Sequence, residues 1–155
     1  GNLTERLDLV QIGAAQNGKI GSFFTKGTVT SVIRLKNSGD IHVQPFGKVL
    51  IKNMTGKLVY EYELNNKTPR DNILPESTRR FEDELKSKKL FGRYTIEANL
   101  GYSQGSGDLI SAKTSFWYVP TWALIALLVI LAAGAGGVYW LLKRRANSTR
   151  HKSKK

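Results

Sequence analysis

The stretch from Val119 to Leu142, VPTWALIALLVILAAGAGGVYWLL, holds 24 residues and no charge. As a helix it would be about 36 Å long at about 1.5 Å per residue, enough to cross a hydrocarbon layer of roughly 30 Å with some tilt. Lys143, Arg144 and Arg145 follow at once and stop it. Trp117, Tyr118 and Trp122 mark one end, and Tyr139 and Trp140 the other, which is the aromatic pattern of two membrane–water interfaces. A buried helix of a soluble domain rarely stays apolar on every side for this length. The expectation is a transmembrane helix over residues 119–142, with the lipid bilayer as its first partner and the rest of the chain divided between two sides.

Charge sets the orientation. The tail from Lys143 to Lys155 carries seven of the 24 Lys and Arg residues and no acidic one, so the remaining residues, 17 basic against 12 acidic, stand at only +5 of the total +12. The excess beside the helix places residues 143–155 in the cytoplasm and residues 1–118 outside. It argues against a nucleic-acid footprint. The chain has no cysteine, which fits a bacterial exterior. It begins Gly-Asn-Leu. A helix with its C-terminal end inside needs a signal sequence upstream, so the chain is expected to be the C-terminal piece of a longer precursor.

Residues 1–118 read as short strands. Residues 1–27 hold a first strand around Leu7, Leu9 and Val10–Ile12, although LTERLDLVQI also admits a short helix. Ala14–Gly21 reads as a turn-rich connection, with Ser22–Phe24 joining the sheet. Thr28–Lys36 is a better strand, with Val29, Ser31, Ile33 and Leu35 on one face. Asn37 to Asp40 turns the chain. Ile41–Gln44 starts the next strand, and Pro45 and Gly47 interrupt it, which suggests an edge or a bulge. Lys48–Asn53 then forms a hairpin with Lys57–Leu64, where Leu58, Tyr60, Tyr62 and Leu64 alternate with charged residues and Val59. Asn65–Asn72 is a loop, Ser77–Phe81 a short strand, and Glu82–Lys89 a charged exposed crossing. Tyr94, Ile96, Ala98, Leu100 and Tyr102 alternate inward along the next strand. Ser103–Asp108 turns it into Leu109–Tyr118.

About seven short strands with no amphipathic helix among them predict an all-β immunoglobulin-like antiparallel sandwich over residues 28–118, taking in 1–27 or not, followed by the single transmembrane helix. The predicted core is Ile33, Leu35, Val49, Ile51, Tyr60, Tyr62, Tyr94, Ile96, Leu100 and Phe116. Tyr94 stands where a Greek-key sandwich turns a tyrosine hydroxyl back to the backbone of the preceding corner, although a plain core aromatic is the alternative.

No catalytic constellation is visible. His42 stands alone on its strand, His151 lies in the tail, and Glu82-Asp83-Glu84 lacks the ligand count of a Ca²⁺ loop. No phosphate-binding or dinucleotide fingerprint occurs, so no cofactor and no metal is expected. In the helix, Ala132 with Gly136 and Ala133 with Gly137 are spaced for close helix approach, which would permit a homo-oligomer.

Asn37-Ser38-Gly39, the Gly56-Lys57 turn, Leu74-Pro75-Glu76-Ser77, Gly92-Arg93-Tyr94, an aromatic strand, one helix and a basic tail follow in order. This layout resembles the membrane-proximal immunoglobulin-like domain of bacterial surface proteins. It is similar to the C-terminal part of the WxL-interacting proteins of Gram-positive cell walls, which tend to carry Ala-Pro-Asn-Ser where this chain has Leu74-Pro75-Glu76-Ser77. The resemblance implies an anchored extracellular domain that binds peptidoglycan or another surface protein. From the residues themselves, the loop-rich side with Lys67, Arg70, Arg79 and Arg80 is the candidate contact for an anionic wall polymer or a surface protein. Two other roles stay open: an accessory subunit of a membrane complex, and the membrane anchor of an enzyme whose catalytic domain lies upstream.

Overall fold

The computed structural model describes residues 2–85, 89–102 and 109–151. The chain divides into two units, Gly1–Val119 and Pro120–Lys155. Among the described residues of the first unit there are nine strands: β1 (Leu7–Gln16), β2 (Lys19–Gly21), β3 (Phe23–Phe24), β4 (Thr30–Asn37), β5 (Phe46–Asn53), β6 (Leu58–Leu64), β7 (Thr78–Glu84), β8 (Gly92–Gly101) and β9 (Ile110–Tyr118). They form a four-stranded sheet in the order β2-β1-β4-β7 and a five-stranded sheet in the order β3-β9-β8-β5-β6. The chain therefore changes sheets early, between β2 and β3. β1 pairs with β4 in one layer, and β3 pairs in parallel with β9 in the other.

The number of strands exceeds seven because of residues 14–24. Asn17 and Gly18 both take positive φ, at 49° and 76°. That is the backbone of the two-residue hairpin turn that Asn-Gly favours. Ala14–Gln16 consequently pairs with Lys19–Gly21, and the expected turn-rich connection is a hairpin. β1 itself carries a bulge at Val10. Leu7 and Leu9 face inward before it, and Ile12 and Ala14 after it, because the register shifts between Leu9 and Gln11. One extra residue inverts the parity of everything that follows.

Three further expectations change. Ile41–Gln44 is not a strand; Val43 makes an isolated bridge to Ile73. β5 lies inside its sheet, between β8 and β6, not at an edge. Gly47 is required there because a Cβ would collide with the Asn99 carbonyl of β8. Glu82, Asp83 and Glu84 belong to β7 and pair with Val32, Ser31 and Thr30, and Leu85 is buried, while residues 86–88 of the expected crossing lie outside the described residues. An edge strand accepts charges on its solvent face without losing its ladder.

The core lies between the layers. Ile33, Leu35, Val49, Ile51, Ile96, Leu100 and Phe116 are each 1% exposed or less. Tyr94 stacks on Phe116 at 5.7 Å between ring centroids, and Phe24 meets Phe116 edge-on at 5.9 Å. The Tyr94 hydroxyl accepts a hydrogen bond from the Phe91 N–H at 2.9 Å, three residues upstream, so the ring sits in the core and the oxygen ties the corner.

Tyr60 and Tyr62 are only half-buried, because β6 is the edge of its sheet. Their hydroxyls cross to the other layer. Tyr62 shares a 2.8 Å hydrogen bond with Ser31 of β4, and Tyr60 donates at 2.8 Å to the Asp83 carboxylate of β7. The bond to Asp83, reinforced by burial and by the nearby negative charge, pushes the Tyr60 phenol up to about 12. Burial pushes Tyr62 up as well.

The second unit is α1 (Thr121–His151). The helix runs beyond Leu142 through Lys143, Arg144 and Arg145, since no glycine or proline interrupts it there and cations near a helix C-terminus suit its dipole. Its stretch Thr121–Ser148 is long and apolar enough to cross a membrane.

Ile96→Ala should lower the unfolding free energy of the sandwich by roughly 2–5 kcal/mol. Denaturant unfolding followed by near-ultraviolet dichroism checks it, and a loss under about 0.5 kcal/mol would contradict a filled core at this position. Tyr60 holds its proton more tightly folded than unfolded, so its contribution is complete below its ordinary value of 10.0 and is lost as the pH rises through about 12. Tyr60→Phe should flatten the alkaline fall in unfolding midpoint, and an alkaline limb identical to that of the parent chain would refute the Tyr60–Asp83 link.

Candidate functional site

The Tyr118 hydroxyl donates to the Gly27 carbonyl at 2.9 Å, which fixes the start of β4 and the end of β9 at one end of the sandwich. The opposite end collects the connections Asn37–Phe46 and Leu64–Thr78. The turn expected over Ser103–Asp108 lies outside the described residues.

Two buried asparagines shape this far end. The Asn37 amide donates to the carbonyls of Ile41 at 2.7 Å and Ile73 at 2.9 Å, while its oxygen accepts from the Gly39 N–H at 2.9 Å. Asn65, at φ 59°, donates to the carbonyls of Pro45 and Asp71 and accepts from the Asp71 N–H. Every polar atom on these side chains that is taken from water meets a partner, which is the condition for burying an amide. The two loops are therefore pinned to β4 and β5 rather than left to their own turns.

On that frame the four basic candidates fall in different surroundings. Lys67 and Arg79 both pair with Asp71, at 3.1 and 2.8 Å. Arg79 also lies over the Phe81 ring at 5.8 Å. Arg70 lies over Phe46 at 5.1 Å. Arg80 pairs with Glu82 on the outer face of β7 and donates to the Gly18 carbonyl at 3.2 Å, so it points away from the other three. The structure brings Lys67, Arg70 and Arg79 to the far end together and leaves Arg80 on the four-stranded sheet. Asp71, which neutralises part of that cluster, was absent from the sequence-level reading; its spacing of four from Lys67 was the available signal.

Two open depressions flank the cluster. One, of about 340 Å³, runs between the free edges of β6 and β7, with Tyr62, Glu63, Asp71, Arg79 and Asp83 in its walls. The other, of about 350 Å³, lies beside Phe46, with Glu5, His42, Gln44, Arg70 and Tyr102. Among the described residues no three His, Asp or Glu side chains group as metal ligands. The surface is suited to hydrogen bonding and charge contacts.

The other candidates divide between the units. Trp117 is exposed on β9, and Tyr118 is half-buried by its bond to Gly27. Trp122, Tyr139 and Trp140 are exposed on α1, where the Arg144 guanidinium lies 5.0 Å from the Trp140 ring. Ala132, Ala133, Gly136 and Gly137 lie along the apolar length of the helix, and a Cβ added at either glycine meets nothing within 4 Å.

No protein-family model and no curated protein matches the sequence. Solved structures do. The C-terminal domain of Wzt is similar with a TM-score of 0.52 and 10% identity, over 76% of this chain and 78% of that one. The CARDB domain of a Pyrococcus furiosus protein, solved in complex with di-metal ions, has a TM-score of 0.47 and 13% identity, over 76% and 94%. CopC from Methylosinus trichosporium has 0.44 and 17%, over 75% and 96%. At these identities the likeness concerns the fold alone. The Wzt domain is an immunoglobulin-like sandwich, and with the two-sheet strand order it establishes that this chain folds as one, followed by a single long apolar helix.

Proposed function

We propose that this is a non-enzymatic, single-pass protein of the bacterial cell surface. Its immunoglobulin-like domain stands outside the membrane, α1 crosses the bilayer, and the basic end of the chain lies in the cytoplasm. The observation that carries the reading is the direct succession of three parts. The last strand of a sandwich ends at Tyr118, an apolar helix starts at Thr121, and the positive charge begins at Lys143. The resemblance of its layout to that of WxL-interacting proteins supports the same reading.

The domain binds through its far end, either to a cell-wall polymer or to another surface protein, and it does so without catalysis. The Lys67, Arg70 and Arg79 cluster favours an anionic polymer. Asp71 pairs with two of them and offsets one of the three positive charges, so the attraction is modest and screened by salt. The small residues Ala132, Ala133, Gly136 and Gly137 would let two copies of α1 pack side by side.

Protease added to intact, wall-stripped cells should digest the sandwich and spare a tag placed after Lys155; a tag cleaved from outside would reverse the orientation. The detergent-solubilised chain should be retained by wall sacculi at low salt and released at high salt. Asp71→Asn should raise that retention severalfold, because it frees Lys67 and Arg79 while leaving the Asp71 backbone bonds to Asn65 in place. Absence of retention by either chain at any salt removes the wall polymer and leaves a protein partner.

A further inference from the structure

We infer that the helix-bearing end of the sandwich is itself a lipid-binding surface, resting at headgroup level on the outer leaflet of the bilayer that α1 crosses. The inference rests on the anchored reading above. Four bulky apolar side chains lie exposed at this end: Phe23 at 55%, Met54 at 63%, Phe91 at 55% and Trp117 at 48%. Single exposed apolar residues are ordinary, but four bulky ones gathered at one end of a domain call for something to cover them.

All four lie at the same end of the sandwich, Phe23 with Trp117 on β3 and β9, and Met54 and Phe91 beside the start of β8. Phe23 and Trp117 are cross-strand partners on the outer face of the five-stranded sheet, and Arg93 continues their row on β8. Gly92, next along β8, pairs with Tyr118 at the end of β9. Met54 lies in the β5–β6 turn, and its terminal methyl occupies the space that a Cβ on Gly92 would need. Phe91 precedes Gly92. The turn that carries Met54 belongs to this end because Asn53 pairs with Tyr94.

The charge around the group fits lipid better than a second copy of the chain. Lys26, Lys57, Lys89 and Arg93 are exposed at the same end, and Glu84, the acidic residue that closes β7, sits on the other sheet. Tryptophan and phenylalanine beside lysine and arginine are the residue kinds that favour the boundary between headgroups and acyl chains, with the cations on anionic lipid. Two identical surfaces would set these cations against one another. The covalent link supplies the proximity. Only Val119 and Pro120 separate β9 from α1, so Tyr118 and Thr121 lie at most about 11 Å apart. A surface beside Tyr118 is thereby held near the point where the chain enters the bilayer.

The native chain has no cysteine, so single nitroxide labels report without background. The full chain is reconstituted into vesicles of phosphatidylcholine and phosphatidylglycerol, with labels at Met54→Cys, Lys57→Cys, Leu109→Cys at the far end, and Ala133→Cys in the helix. Collisions with oxygen and with a water-soluble nickel chelate are measured for each. The expected result is that the Met54 and Lys57 positions lose nickel access and gain oxygen access relative to Leu109, with Ala133 shielded from nickel most of all. Shielding at Ala133 with Met54 and Lys57 as open to nickel as Leu109 overturns lipid docking and leaves the anchor intact. Nickel access at Ala133 overturns the anchor and the docking with it. Loss of both collision partners at Met54, with spin–spin broadening between labels, shows a second copy on the surface and also overturns lipid docking.

Discussion

A two-sheet sandwich has two long sides, and water must be kept from both if the layer between the sheets is to stay apolar. Here the two sides are closed by different means. On one, the chain passes from β2 at the edge of the first sheet to β3 at the edge of the second, so the backbone spans the gap. On the other, β6 and β7 are free edges, and two tyrosine hydroxyls reach across, to Ser31 and Asp83. The covalent side is permanent. The tyrosine side depends on two protons and on the Asp83 charge, and the depression between β6 and β7 opens there. The edges that could accept a partner and the contacts that hold the layers together are thus the same residues, which couples any ligand in that groove to the closure of the sandwich.

The strands that showed in the sequence are those whose environment is uniform along their length. β4 and β8 keep one face in the core, so alternation identified Ile33, Leu35, Ile96 and Leu100 as buried. β1 showed as a first strand with a short helix as the alternative, because the bulge at Val10 changes which parity faces inward and a pattern that inverts halfway matches neither fully. β2 hid behind its own turn, since Asn17-Gly18 was taken into a longer connection. β7 was cut short because Asp83 points inward as a tyrosine's partner, and sequence alone gives no sign that a carboxylate on an inward position has one. Gly47 suggested an edge, whereas the need for glycine comes from the close passage of Asn99 in a neighbouring strand.

The same limit governs the candidate site. Residue type made Lys67, Arg70, Arg79 and Arg80 stand out, and the fold does bring three of them to one end. What type cannot convey is how much of a charge is spent inside the molecule. Asp71 takes up two of the cations and Glu82 a third, while Arg70 is held over an aromatic ring. A surface built this way offers shape and hydrogen bonding as much as net charge, and the pinned loops around Asn37 and Asn65 hold that shape fixed. The helix, by contrast, was legible almost completely, because an uncharged run of its length has few other uses.

The parallel pairing of β3 with β9 has a mechanical meaning. Its bonds run from the Trp117 N–H to Ser22 at 2.7 Å and from the Val119 N–H to Phe24 at 2.9 Å, up to the last residue before the helix unit. Leu7, where β1 starts, lies at the other end of the sandwich, opposite Asn37. A force drawing Leu7 and Val119 apart therefore pulls both terminal strands along their own axes. The ladder bonds stand across that direction and bear the load in shear, so they must yield together instead of opening one after another. Chain ends ordinarily fray first. In this domain the handover from sheet to helix would be among the last places to give way under tension.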